Sequence, residues 1–82
     1  MIYAARAEDA KAGRAREKLA ALSEREREIA VLVARGASNA EIAADLVVAE
    51  ATVKAHVSHI LTKLDLDNRV QIAICVHEAG EA

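Results

Sequence analysis

The tightest constraint on this chain is a helix-start signature that recurs. Ser23 with Glu26 and Ser38 with Glu41 each place a short hydroxyl side chain three residues before a glutamate, and Asn68 with Gln71 makes a third pair of N-cap and N3 residues. The short side chain of such a pair accepts a bond from the backbone N–H at N3, and the longer one can reach back to the backbone at the cap. Three starts this close together leave room only for short helices joined by tight turns. Nothing in the composition offers a strand: proline, phenylalanine and tryptophan are absent, and no segment alternates β-branched and polar residues. The expected class is all-α. With 82 residues, 54% of them apolar, the chain holds at most one domain around one small core.

Residues 1–21 are alanine-rich and charge-studded, with Gly13 in the middle and almost no large apolar residue between Tyr3 and Leu19. They read as a linker or lead-in helix with little to bury, supported by Glu8/Lys11 and Arg14/Glu17 pairs across a turn. The next helix is expected from Glu24 to Arg35, with Leu22 as the residue that staples its start. Glu24 and Glu26 suit its positive end, Ile29, Leu32 and Val33 form its core stripe, and Gly36 stops it. From Ser38 a short helix carries Ile42, Ala43 and Leu46 inward and ends near Leu46. Val47-Val48-Ala49 then connects, without a glycine, to a helix from Ala51 to Leu64, the spacing of a helix-turn-helix.

The helix over 51–64 has two dissimilar faces. Val53, Val57, Ile60, Leu61 and Leu64 form one apolar stripe, the buried side. Ala51, Ala55, Ser58 and Thr62 fall opposite, and Thr52, Lys54, His56 and His59 lie on the flanks, so the exposed surface is polar, small-featured and nearly free of acids. A last helix is expected from Arg69 to about Glu78. It is apolar on both sides, with Val70, Ala73, Ile74 and His77 on one and Ile72, Cys75, Val76 and Ala79 on the other. One side can pack on the core, which leaves the second for another chain.

Several classes of function find no support. Cys75 is the single cysteine, which excludes an internal disulfide and reads as a small buried hydrophobe suited to a reducing cytoplasm. No apolar run is long enough for a bilayer, and the amino terminus carries Arg6, Glu8 and Asp9 rather than a signal-type core, so a cytoplasmic protein without membrane association is expected. No nucleophile–base arrangement, glycine-rich phosphate loop or paired carboxylates appear, so no catalytic residue is assigned and no enzyme is expected. His56 and His59 stand at i, i+3 and could supply half a metal site, but no acid or cysteine is placed to complete it, so neither metal nor cofactor is expected. A single aromatic residue, Tyr3, argues against single-strand binding by stacking. The net charge of −2, from 11 basic and 13 acidic side chains, argues against nucleic acid only weakly, because phosphate contacts depend on where the cations lie.

Taken in order and at this spacing, LSEREREI at 22–29, the Gly36-Ala37-Ser38-Asn39 turn, EIA at 41–43, TVKAHV at 52–57, ILTKL at 60–64 and Asn68-Arg69-Val70-Gln71 resemble the LuxR-type, or NarL/FixJ-type, DNA-binding domain of bacterial transcription regulators. The resemblance covers residues 22–80. It implies a four-helix, LuxR/GerE-like helix-turn-helix domain that acts as the output half of a two-component response regulator. Its third helix would read the major groove of double-stranded DNA, and it would dimerise through its fourth. Carried over by position, Lys54, Ala55, Ala51 and Ser58 face base edges, while Thr52 and His56 lie near phosphates with Ser38 and Asn39. Val70, Ala73, Ile74 and His77 fall at the dimer contact, which leaves Ile72, Cys75 and Val76 for the core.

The partners implied are an inverted-repeat operator, a second copy of the chain and, as a further candidate, RNA polymerase. Ala49 stands where a capping serine is common, at a cost in helix stability, and Ala40 where lysine is frequent, which removes a phosphate contact. Ser58 stands where some members are basic, which leaves Lys54 as the one cation toward bases and implies modest affinity. No receiver fits within residues 1–21, so the chain is expected to be an excised output domain with its linker or a small stand-alone regulator. The rival reading is a helical protein–protein module that keeps the fold without DNA binding, suggested by the acidic balance and by those two alanines.

Overall fold

The computed structural model describes residues 2–82, with side chains from Asp9 onward. The described residues form five helices: α1 (Ile2–Ala20), α2 (Glu24–Ala34), α3 (Asn39–Leu46), α4 (Glu50–Leu64) and α5 (Arg69–Glu78). Both serine boxes close reciprocally. Ser23 N donates to Glu26 Oε1 at 2.8 Å while Glu26 N donates to Ser23 Oγ at 3.2 Å, and the Ser38–Glu41 pair repeats this at 2.9 and 3.1 Å. The third start is only half such a box. Asn68 Oδ1 accepts from Gln71 N at 3.2 Å, but the Gln71 side chain reaches past the cap to Asp67 N, 2.7 Å away.

Helices α2 to α5 all end alike. One residue turns into the left-handed region, and the next donates its N–H back to the carbonyl five residues earlier. Those bonds are Ala37 to Leu32 (3.1 Å), Val48 to Ala43 (3.0 Å), Leu66 to Leu61 (2.9 Å) and Glu81 to Val76 (3.1 Å). The turning residues are Gly36, Val47, Asp65 and Gly80. At two of the four ends, then, a residue with a side chain does what glycine does more cheaply.

The helices share one core. Leu19, Ile29, Ile42, Val53, Ile60, Ile72 and Val76 are its largest fully buried side chains, so each of the five helices contributes. Central α2 packs against both α4 and α5, α3 packs on α4, and α1 packs on α5.

Two expectations change. Residues 1–21 are more than a lead-in with little to bury, because Ala15 and Leu19 sit in the core and Cys75 Sγ lies 3.8 Å from the Ala15 carbonyl. They cover part of α5 that the 22–80 segment leaves bare. Of the pairs expected within this segment, the Glu8 side chain lies outside the described residues, Lys11 Nζ lies 3.4 Å from Glu78, and Arg14 and Glu17 form no ion pair among the described residues. The fourth helix also begins one residue earlier than expected, at Glu50, which sets an acid in the first turn of a face read as nearly acid-free.

Candidate nucleic-acid interface

Helices α3 and α4 form the helix-turn-helix, and its outer surface is built by what α4 does not bury. Val53, Val57, Ile60 and Leu64 point into the core, with Leu61 packed at its edge. Ala51, Thr52, Lys54, Ala55, Ser58, His59 and Thr62 are exposed and His56 is half-buried. The start of α4 carries no side-chain cap. Ala49 holds the N-cap position in extended backbone, φ −69° and ψ 147°, with its side chain exposed. Lys54 makes no ion pair among the described residues and projects as a free cation, whereas Lys63, at the other end of the helix, is held 2.7 Å from Glu26.

The two candidates at the start of α3 are already engaged. Ser38 Oγ accepts from Glu41 N, and Asn39 Oδ1 accepts from Arg69 Nη1, whose other terminal nitrogen donates to the Ala37 carbonyl at 2.6 Å. Arg69 thereby fixes the turn before α3 to the first residue of α5. This function was not visible in the sequence, where Arg69 is one more cation near a helix start and its partners lie 30 and 32 residues away.

Glu26 is a second residue whose place was hidden. Only 5% exposed, it takes Ser23 N and Lys63 Nζ on the same oxygen, Oε1. The Lys63 ammonium, then the Ser23 N–H, hold its carboxyl down to about 2 against the opposing effect of burial. Glu26 also corrects the expectation that no acid stands near the α4 histidines: its carboxylate and the rings of His56 and His59 offer ligand atoms within 4.8 Å of one another. Glu41 is likewise held below its ordinary value by the Ser38 N–H and hydroxyl, and burial pushes the Cys75 thiol up.

On α5, the side holding Ile72, Cys75, Val76 and Ala79 is buried. The other side faces outward: Val70 is 66% exposed, Ile74 50%, His77 is exposed and Ala73 partly so. His77 is anchored within the chain, its Nε2 lying 3.1 Å from the Ala34 carbonyl at the end of α2.

The family model for bacterial regulatory proteins of the luxR family matches residues 20–76, from the end of α1 through most of α5. The chain belongs to this family. Among similar proteins, the uncharacterized transcriptional regulatory protein YhcZ of Bacillus subtilis is 46% identical over 59 residues, 72% of this chain and 28% of its own. The nitrate/nitrite response regulator protein NarL of Escherichia coli is 47% identical over 57 residues, 70% of this chain and 26% of its own. The response regulator protein VraR of Staphylococcus aureus is 51% identical over 53 residues, 65% of this chain and 25% of its own. The chain thus spans about a quarter of the length of these relatives. Membership in a luxR family of regulators agrees with the all-helical fold and with the expectation of a regulatory rather than a catalytic protein. No helix among the described residues is long and apolar enough to cross a membrane.

Proposed function

We propose that this chain is a sequence-specific double-stranded DNA-binding domain, the output part of a cytoplasmic response regulator. The observation that carries the reading is the exposed side of α4, where Lys54 stands without an ion-pair partner among the described residues, beside neighbours that are small or polar, in a chain of the luxR family. In this reading α4 lies in the major groove, with Ala51, Lys54, Ala55 and Ser58 toward base edges. Thr52, His56 and the Ser38–Asn39 turn lie along phosphates. Asn39, its Oδ1 taken by Arg69, would offer its amide N–H groups to the phosphate oxygens. Val70, Ala73, Ile74 and His77 meet a second copy. The named roles of NarL and VraR as response regulators support the wider context.

The test is a footprint and gel shift on the promoter of the gene's own operon, with wild type and Lys54→Ala. Loss of a base contact worth about 1–3 kcal/mol weakens specific binding about 5- to 150-fold, with helicity unchanged by circular dichroism. Equal promoter affinity in a folded Lys54→Ala sinks the assignment of α4. A wild-type chain that ignores DNA at low salt favours the protein–protein module.

A further inference from the structure

His56 and His59 come from one face of α4, and Glu26 reaches them from the first turn of α2. One ligand atom from each lies within 4.8 Å of the other two. An ion centred among atoms so placed sits at most about 2.8 Å from each. Side-chain shifts of up to about 0.6–0.8 Å then bring it to the roughly 2.0–2.2 Å of zinc–nitrogen and zinc–carboxylate bonds. His59 is exposed and free to make that adjustment.

The donors are also unspent. Both hydrogen bonds to the Glu26 carboxylate fall on Oε1, and among the described residues nothing donates to Oε2, which keeps contact with solvent although the residue is only 5% exposed. Neither the His56 nor the His59 ring makes a hydrogen bond among the described residues, whereas His77 does. A carboxylate with one oxygen free of protein donors, beside two imidazoles without hydrogen-bond partners among the described residues, leaves ligand atoms open to an ion. Its chemistry selects the ion. Two imidazole nitrogens and one carboxylate oxygen suit zinc and its neighbours with a water in the fourth position, whereas calcium and magnesium require oxygen shells. The Lys63 ammonium opposes a second cation, but it bonds Oε1 alone, which leaves Oε2 for the ion, and its side chain is 45% exposed, so it can turn to water.

We propose that Glu26, His56 and His59 form a binding site for one divalent transition-metal ion of the zinc class, joining the start of α2 to the middle of α4. The proposal does not rest on the DNA-binding reading, although the two share His56.

The test is calorimetric titration of the 82-residue chain with zinc chloride in a non-chelating buffer at about pH 7.5. His59→Ala and His77→Ala are run beside the wild type. The expected result is one zinc per chain, with unchanged affinity in His77→Ala. His59→Ala should bind at least about tenfold more weakly, since even an outer-shell change at a metal site costs that much. Zinc should raise the melting temperature of the wild type and His77→Ala but not of His59→Ala. In the wild type the ring-proton resonances of His56 and His59 should move on zinc addition while those of His77 stay in place, a reading that needs no variant. Absence of zinc binding, equal affinity in a folded His59→Ala, or resonance shifts confined to His77 would each overturn the site.

Discussion

Val47 is a β-branched residue held at φ 56° and ψ 52°, in the left-handed region where Cβ crowds the backbone. It has no packing to lose, being 88% exposed. Val47→Gly should therefore stabilise the domain by about 1 kcal/mol, the relief of the left-handed strain less the entropy of a glycine. Val47→Ala, which keeps Cβ, should gain little. Thermal or urea unfolding of the two variants checks this, and a Val47→Gly protein less stable than wild type would place the strain elsewhere. Two residues on, Ala49 has cap geometry without a cap group, and its exposed side chain leaves space for a hydroxyl. Ala49→Ser should add about 0.5–1 kcal/mol by accepting a bond from an unpaired amide at the start of α4. A lower melting midpoint for the serine variant would mean that the helix begins elsewhere in solution.

At the scale of elements, α2 and α4 are joined by the bond from Lys63 to Glu26, and the stability this gives depends on Glu26 being ionised. Its folded-state pKa, about 2, lies below the ordinary 4.5, so the contribution is full above about 4.5 and disappears as the pH falls toward 2. The wild-type melting temperature should drop across that window more steeply than that of Glu26→Gln. Parallel curves for the two proteins would show that the pair carries no such load. The helix boundaries were legible in the sequence because caps are local: Ser23, Ser38 and Asn68 each need only a neighbour three residues away. What sequence did not reveal is long-range. Lys63 meets Glu26 across 37 residues, Arg69 meets Asn39 across 30, and Cys75 meets Ala15 across 60. No periodicity encodes such meetings. The packing of α1 escaped for a related reason, since its buried side rests on Leu19 and on alanines such as Ala15, which look the same in an exposed helix as in a docked one. The outward face of α4 was readable from its stripe, apart from Glu50, a residue drawn into the helix where the cap had no side chain to mark the start.

For the molecule as a whole, the exposed Val70 and Ile74 set the geometry of the proposed assembly on DNA. If two copies meet there across a two-fold axis, their α4 helices enter successive major grooves. The preferred site is then an inverted repeat with centres about 10 bp apart. Inserting about 5 bp turns one half-site to the opposite face and should abolish cooperative occupancy, and Ile74→Asp should do so at the original spacing by setting a charge in an apolar contact. Footprinting and sedimentation decide it: equal occupancy at both spacings, or an unchanged dimer fraction on DNA for Ile74→Asp, rules out α5 as the interface. The clamp made by Arg69 gives this arrangement a property that neither surface has alone. One planar guanidinium spans the first turn of α5 and the turn that opens the helix-turn-helix, gripping Asn39 and the Ala37 carbonyl together. A companion that shifted α5 by a fraction of an ångström would carry the start of α3 with it, and a ligand seated on α3 would pull on α5 in return. Allosteric linkage of this kind runs equally in both directions, so whatever pairing gives to DNA affinity, DNA must give back to pairing.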